Sequence, residues 1–203
     1  MKIICIGRNY ADHAKELGNE IPDEPVIFMK PKSALLQPHT PFYYPEFTNE
    51  LNYECELVLR ISKNGKYIQE RHASNYYNGI TVGIDFTARD IQDECKKKGL
   101  PWEKAKAFDN SAAIGKFIDI TPDINKKNIN FTFSKNGEIV QTGNSGQMLF
   151  SFDKLIANIS NYFSLNIGDL IFTGTPAGVG ECVVGDELEA FYEGMSMLKV
   201  EVK

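Results

Sequence analysis

The sequence has no long hydrophobic run and no excess of positive charge. No apolar stretch approaches the roughly 18 residues that a membrane-spanning helix needs. The 203 residues include 22 lysines and arginines against 27 acidic residues, a formal net charge of −5. The one cationic run, KKK at 96–98, falls at the end of a predicted helix, where it suits the helix dipole. Neither nucleic acid nor an anionic membrane surface is therefore expected as a main partner.

Paired cysteines are also missing. The four cysteines stand singly, without a CxxC motif or the Cys/His spacing of a zinc site, at Cys5, Cys55, Cys95 and Cys182. We interpret them as reduced thiols. The apolar part of MKIICIGRNY is too short for a secretion signal and no cleavage pattern follows it, so a cytoplasmic location is expected.

What is present is the composition of an ordinary globular protein with many short strand-like segments. Hydrophobic residues make up 42% and charged residues 24% of the chain, which is long enough to bury a substantial core. Strands are predicted at 2–6, 26–30, 41–45, 51–62, 78–85 and 115–120, and in most of the chain after 169. We predict one domain over residues 1–203, of the α+β class and rich in β-structure.

Helix signals are fewer. About three helices are expected, each with recognisable end residues. They are YADHAKEL between Asn9 and Gly18, RDIQDECKKK between Thr87 and Gly99, and FDKLIANISNYF after Ser151. The pair Asn136-Gly137, between two strand-like runs, predicts the two-residue turn of a hairpin.

The segment YECELV at 53–58 carries two carboxylates within a strand-like pattern. Alternation places Tyr53, Cys55 and Leu57 on one face, the core, and Glu54 and Glu56 on the other. Burying two unpaired carboxylates side by side would cost several kcal/mol. Pattern alone therefore favours a solvated face. The alternative is a hard divalent cation such as Mg²⁺, which glutamates at i and i+2 can both reach.

A metal site would need a third oxygen ligand, and Asp85 is the best candidate. It ends the apolar run ITVGID, directly before a predicted helix. An aspartate in this position is commonly a turn or cap residue. Thr87 is better placed to cap the helix, which leaves Asp85 free. On spacing alone, both interpretations stay open.

Five separated motifs carry a resemblance to a known family. They are GRNYADHAKE at 7–16, EPVIFMKP at 24–31, YECELVLRI at 53–61, GIDFTARDIQDECKKKGLPWEKAKAFD at 83–109 and DLIFTGTPAGVG at 169–180. In these motifs the chain resembles the fumarylacetoacetate hydrolase family, in particular its short single-domain members similar to acylpyruvate hydrolases and oxaloacetate decarboxylases. The resemblance implies a roll or sandwich of mixed β-sheets and a homodimer.

The resemblance also implies the roles of individual residues. The implied ligands of Mg²⁺ or Mn²⁺ are Glu54, Glu56 and Asp85. The implied catalytic residues are His13 and Glu16, on a lid segment at 7–20, and Lys106. The implied substrate-binding residues are Arg89, Gln92 and the loop Thr173-Gly174-Thr175. One departure is Ala113, where many relatives have proline, and it leaves the substrate range open.

Several of these residues have plainer interpretations. His13 and Glu16 are three apart and share a helix face, so the carboxylate can fix the imidazole tautomer, but a surface ion pair has the same spacing. Lys106 is chosen over Lys104 by the motif only, since both would otherwise be surface lysines. The segment TGTPAGVG lacks the GK[ST] of a phosphate loop, and a tight turn is its plain interpretation.

Three functions are compatible with these residues. The first is a hydrolase that cleaves a C–C bond in acylpyruvate-like 1,3-diketo acids through a metal-stabilised pyruvate enolate. The second is an isomerase or tautomerase of 2-hydroxy-dienedioates, or an oxaloacetate decarboxylase, on the same site. The third is a binding protein without activity. In the first two, the expected ligand is a small 2-oxo or diketo acid.

Overall fold

The computed structural model describes residues 1–16, 18 and 20–203. Within these ranges the strands are β1 (Ile3–Gly7), β2 (Val26–Lys30), β3 (Leu51–Tyr53), β4 (Cys55–Ile61), β5 (Tyr77–Asp85), β6 (Thr87–Ala88), β7 (Ala112–Ile114), β8 (Ile118–Asp119), β9 (Asn130–Lys135), β10 (Glu138–Asn144), β11 (Leu170–Phe172), β12 (Gly180–Glu181), β13 (Glu187–Tyr192) and β14 (Met195–Glu201). The helices are α1 (Ala11–Glu16), α2 (Glu70–Ala73), α3 (Arg89–Lys98), α4 (Glu103–Lys106) and α5 (Phe152–Tyr162). No helix of the described part is long and apolar enough to cross a membrane.

The strands form three sheets. The first is mixed and has the order β2-β1-β11-β4-β5-β7, with β8 also paired to β5. Its β1 and β11 are parallel, while β4 and β5 are antiparallel. The second sheet has the order β10-β9-β13-β14 and the third β12-β3-β6. This strand-rich α+β architecture with a curled mixed sheet confirms the predicted fold class.

Both faces of β4 are buried. On one face Leu57 and Leu59 join the large core, which includes Phe133 of the second sheet. On the other face Val58 packs in a smaller cluster with Phe172 of β11. The alternation of the sequence therefore separates two apolar clusters and does not separate core from solvent.

The predicted strand at 51–62 is interrupted. β3 ends at Tyr53 and β4 begins at Cys55, so Glu54 lies in the break between them. The chain passes here from the third sheet to the first. The Glu54 carbonyl accepts the N–H of Asp85 at 2.8 Å, and the Cys55 N–H donates to the Gln141 side chain at 3.0 Å. At this break the backbone of Glu54 and Cys55 bonds residues far away in the chain, Asp85 and Gln141. Local sequence does not predict such long-range hydrogen bonds.

Two predicted helix caps are wrong. Helix α3 begins at Arg89 after Ala88, whereas Thr87 belongs to β6 and pairs with Asn52. Asn9 does not cap α1, because its side chain bonds the backbone of Phe150 and Thr173 instead. In both cases a long-range partner competes successfully with the local cap.

Other predicted boundaries are confirmed. Gly99 ends α3 in the left-handed conformation, and the Ser151 hydroxyl accepts the Lys154 N–H at the start of α5. Asn136-Gly137 turns the β9–β10 hairpin with positive φ at both residues. This geometry is that of a type I′ turn.

Two predicted strands and one helix end differ from the structure. The segment at 115–120 is strand only at Ile118–Asp119, and within 41–45 only Phe42 makes an isolated bridge, to Val202. The predicted end of the first helix at Leu17 lies outside the described residues. Helices α2 and α4 were not predicted, since each has only four residues.

Candidate active site

Three acidic side chains meet where the first and third sheets join. Glu54 lies between β3 and β4, Glu56 near the start of β4, and Asp85 is the last residue of β5. Because Cys55 pairs with Ile84, the three carboxylates lie side by side, with one oxygen of each within 4.8 Å of the others. All three are buried, at 6%, 1% and 0% exposure. The solvated face that the pattern alone favoured is wrong.

Buried cations surround this triad of Glu54, Glu56 and Asp85. Lys106, at the end of α4, places Nζ 2.7 Å from Glu54 Oε2 and 2.8 Å from Asp85 Oδ2. Arg89, at the start of α3, donates to Glu54 Oε1 at 2.6 Å. Gln92 lies one turn along α3 and accepts from Arg89 at 2.6 Å. The structure thus brings these three candidate residues to the triad.

A further buried cation, Lys30, was missed by the sequence analysis. Its Nζ lies 2.7 Å from Asp85 Oδ1. It donates to Ser111 Oγ at 2.9 Å, to the Ser111 carbonyl at 3.1 Å and to the carbonyl of Lys106. Lys30 shares a face of β2 with apolar residues, and a lysine at such a position is the signal that could have identified it.

The charges in this cluster shift one another's pKa values. Burial alone would raise the pKa of Glu54, but the Lys106 and Arg89 cations outweigh it and hold that pKa well below its ordinary range. The pKa of Glu56 is raised well above its ordinary value, by burial first and then by the Asp85 and Glu54 carboxylates. Burial acts to lower the pKa of Lys106, but Asp85 and Glu54 raise it overall. Glu56 is the carboxylate that lacks a cation.

The triad fits a hard divalent cation. Its donors are all carboxylate oxygens, which Mg²⁺ and Mn²⁺ prefer. Asp85 Oδ1 is buried and has the Lys30 ammonium 2.7 Å away, in a contact that lacks hydrogen-bond geometry among the described residues. A cation held by the triad would satisfy this oxygen and offset the excess negative charge around Glu56.

The loop after β11 supports Glu56 through a backbone hydrogen bond. The Gly174 N–H donates to Glu56 Oε2 at 2.6 Å. Gly174 has a φ of +100°, and a Cβ there would lie 2.7 Å from the Cβ of Asn9. Only glycine meets both conditions. Asn9 in turn bonds the Thr173 carbonyl at 2.7 Å, which fixes the loop against the start of the α1 region.

Thr175 is oriented by Gln141, a residue that the sequence analysis also missed. The Gln141 side chain donates to Thr175 Oγ1 at 2.8 Å and accepts the Cys55 N–H at 3.0 Å. The Thr175 hydroxyl donates to the Cys55 carbonyl at 2.8 Å. Its single proton is used, so a bound acid could receive a hydrogen bond from Thr175 only through the backbone N–H. Gln141 is 86 residues from Cys55, and no local signal marks it.

The His13–Glu16 pair lies on α1. His13 is buried, and its Nδ1 is 3.2 Å from Glu16 Oε2. The other carboxylate oxygen of Glu16 accepts the Gly178 N–H at 3.0 Å. This bond joins α1 to the glycine-rich loop after β11, so the pair is tied into the site and is not an ordinary surface ion pair.

One cleft connects α1 with the triad. It is lined by His13, Glu54, Arg89, Gln92, Lys106 and Thr175, together with residues that include Arg8 and Lys96. The room inside it is only about 30 Å³. This volume holds roughly two water molecules.

Comparisons with known proteins agree with this geometry. Residues 2–203 match the family model described as fumarylacetoacetate (FAA) hydrolase C-terminal. The chain is 39% identical to the human mitochondrial oxaloacetate tautomerase FAHD1, over 99% of this chain and 91% of the human protein. It is 41% identical to the oxaloacetate tautomerase YcgM of Escherichia coli (strain K12), over 97% and 90%. The crystal structure of fumarylpyruvate hydrolase from Pseudomonas aeruginosa, in complex with Mn²⁺ and pyruvate, superposes with a TM-score of 0.94 at 35% identity, over 100% of this chain and 89% of that one.

Proposed function

The chain belongs to the fumarylacetoacetate hydrolase family, and on that premise we propose that it is a divalent-metal-dependent enzyme that converts small 2-oxo acids through their enol forms. The observation that carries the proposal is a buried carboxylate triad whose member Glu54 lines one cleft together with the buried Lys106 and with His13 of the His–Glu pair. Hydrolases and tautomerases of the family share this type of chemistry, because each reaction forms or consumes an enol.

Glu54, Glu56 and Asp85 would hold Mg²⁺ or Mn²⁺. When bound, the cation supplies Lewis acidity that stabilises negative charge on the carboxylate and keto oxygens of a 2-oxo acid. The P. aeruginosa relative with Mn²⁺ and pyruvate supports this choice of metal and ligand. Lys106 and Arg89 hold the pKa of Glu54 low, so this ligand keeps its charge, and a bound cation would offset the repulsion that raises the pKa of Glu56.

The chain's own residues would move the proton. In the tautomer in which His13 donates Nδ1–H to Glu16, Nε2 is the basic atom of the ring, on a residue that lines the cleft. Lys106 uses two of its three N–H groups on Glu54 and Asp85. The third is available to a substrate oxygen that gains negative charge.

Oxaloacetate keto–enol tautomerisation is the reaction that we place first. A proton leaves C3 while the oxygen on C2 gains one, or the reverse, and no water is consumed. The human and E. coli relatives, named oxaloacetate tautomerases at 39% and 41% identity, favour it.

Hydrolysis of acylpyruvate-like 1,3-diketo acids is the second candidate, favoured by the His13–Glu16 pair. The pair would deprotonate a water, whose oxygen adds to the distal carbonyl. The C–C bond then breaks, its electron pair forms the pyruvate enolate, and protonation releases pyruvate and the second acid. The relative named fumarylpyruvate hydrolase supports this reaction. Oxaloacetate decarboxylation and isomerisation of 2-hydroxy-dienedioates use the same enol chemistry and belong in the same panel.

The first test removes the metal and one of its ligands. Conversion of enol to keto oxaloacetate is followed by absorbance, with Mg²⁺, with Mn²⁺ and with EDTA. Glu56→Gln keeps the shape but removes the charge, and we expect it to lower the rate roughly a hundredfold. The exposed Glu46→Gln is the control and should behave as wild type. Full activity in EDTA or in Glu56→Gln would contradict the metal assignment.

A second test asks whether His13 activates water for hydrolysis. His13→Ala is assayed for pyruvate release from acetylpyruvate and for oxaloacetate decarboxylation. Hydrolysis should collapse because water is no longer activated, whereas decarboxylation should persist in part. Equal loss of both would count against this role of His13. Tight Mg²⁺ binding in calorimetry without turnover of any 2-oxo acid would instead indicate a binding protein.

A further inference from the structure

The cleft contains more positive charge than the triad uses. Its lining includes four cationic side chains but one carboxylate, Glu54. Two of the cations, Arg89 and Lys106, are already paired with buried acids. The other two, Arg8 and Lys96, are not bound to the triad. In a chain whose net charge is −5, this local excess points to an anion that enters from outside.

Arg8 is held in an unusual backbone conformation beside the cleft. It follows β1 and has a φ of +60°, in the left-handed region. This region costs a residue other than glycine roughly 1–2 kcal/mol. The Arg8 side chain makes no hydrogen bond or ion pair with any residue that the structure describes, and it is half-buried. Arg8 therefore has an unfavourable backbone conformation, and its guanidinium lies at the cleft without a partner among the described residues.

Lys96 reaches the cleft from the other side. It follows Arg89 and Gln92 by seven and four residues, so the three share one face of α3. Its neighbour Lys97 is exposed on another face. The nearest acid to Lys96 Nζ is the half-exposed Asp93, at 3.5 Å. Lys96 lies in the last turn of α3, as the sequence predicted for KKK at 96–98, and it lines the cleft as well.

We infer that Arg8 and Lys96 form a second anion-binding position in the cleft, which binds a carboxylate at the far end of the substrate. The inference rests on the proposed function, in which the triad end of the cleft takes the 2-oxo acid end. It deepens that function by naming the substrate class: four-carbon or longer 2-oxo acids with two carboxylates. Arg and Lys are the side chains that bind a carboxylate through charge-assisted hydrogen bonds.

The test compares two substrates that undergo one reaction and differ only at the far end. These are oxaloacetate and its 4-methyl ester, both followed as enol-to-keto conversion with Mg²⁺. Arg8→Asn removes the charge with a residue that tolerates positive φ. We expect kcat/KM for oxaloacetate to fall roughly tenfold to a hundredfold, mainly through KM, while the value for the ester changes less than about threefold. Lys96→Gln should act in the same direction.

Two controls complete the experiment. Lys97→Gln removes the same charge one residue away and should leave both substrates unaffected, and Arg8→Lys should recover part of the loss. Equal losses with both substrates, or no loss with oxaloacetate, would overturn the inference and leave the proposed function standing.

The two hypotheses can fail separately. If wild type converts neither compound, oxaloacetate tautomerisation is removed from the proposed function, and binding of the same pair is then measured by calorimetry. A preference for oxaloacetate that Arg8→Asn abolishes would still support the anion position. Equal binding of the two compounds by wild type would overturn it.

Discussion

At the scale of single residues, the candidate site depends on carboxylates that are buried together with their counter-charges. Asp85 has no exposed surface and lies between Lys106 on one oxygen and Lys30 near the other. Removing one partner from a buried charge pair costs more than the pair contributes, because a charge is left uncompensated in a low dielectric. Lys30 shows this most clearly, because it is buried and its partners are Asp85, Ser111 and the Lys106 carbonyl, all inside the protein.

Lys30→Met should therefore destabilise the protein in EDTA. We expect a loss of about 3 kcal/mol, which lowers Tm by roughly 6–12 °C in a chain of this size. Saturating Mg²⁺ should reduce the loss, because the cation replaces part of the missing charge beside Asp85. Thermal unfolding with and without Mg²⁺ checks both statements. The exposed Lys32→Met is the control, and an equal shift in the two variants would contradict the account.

At the scale of elements, the site lies where secondary structure is interrupted. β3 gives way to β4 at Glu54, β5 ends at Asp85, and the loop after β11 turns at Gly174. Each interruption frees backbone groups that must bond elsewhere. Gln141 of β10 satisfies several of them, because it bonds Cys55, the Thr175 hydroxyl and the Pro176 carbonyl. One side chain of the second sheet thus fixes two segments of the site.

Gln141→Ala should impair the site more than the fold. Leaving buried polar groups without partners costs about 1–3 kcal/mol, and the Thr175 loop loses its fixed position relative to Glu56. We expect a clear rise in KM for the 2-oxo acid and weaker Mg²⁺ binding in calorimetry. Thr142→Ala, on the same strand but exposed, should leave both unchanged. Unaltered KM and metal affinity in Gln141→Ala would show that the loop is positioned by other contacts.

At the scale of the whole molecule, the first and second sheets pack face to face and the cleft lies at one edge of this core. Leu57 and Leu59 of the first sheet share a core cluster with Phe133 of the second, and the ring of Tyr53, on β3 of the third sheet, lies 4.9 Å from that of Phe133. Helix α1 contacts the glycine-rich loop after β11 through the Glu16–Gly178 bond. That the segment 7–20 acts as a lid stays a prediction.

The homodimer implied by the resemblance stays a prediction. Light scattering coupled to gel filtration should give twice the chain mass at micromolar concentration, and a dilution series would give the dissociation constant. A single monomeric species over the whole series would remove the dimer from the account. The cytoplasmic location likewise remains an expectation.

Much of this protein could be predicted from the sequence where a feature is local or shared by the family. The hairpin at Asn136-Gly137 and the ends at Gly99 and Ser151 follow from turn and cap chemistry. Lys104 and Lys106 were distinguishable only by motif, and the structure leaves the first exposed and buries the second. Pattern alone gave the wrong environment for the glutamates of YECELV. An alternating pattern shows that the two faces of a strand have different residues, but it does not show whether the polar face meets solvent or other parts of the protein.

By itself the sequence determined the strand-rich class, the hairpin turn, the helix ends at Gly99 and Ser151, and the membership of a family with carboxylates at fixed places. Only the tertiary structure decided that both faces of β4 are buried and that Lys30 and Gln141 belong to the site. It also decided that Arg8 and Lys96 line the same cleft. The physical reason is that ion pairs and hydrogen bonds inside the protein join residues that are far apart in the chain. A periodic pattern depends only on residues that are close in sequence.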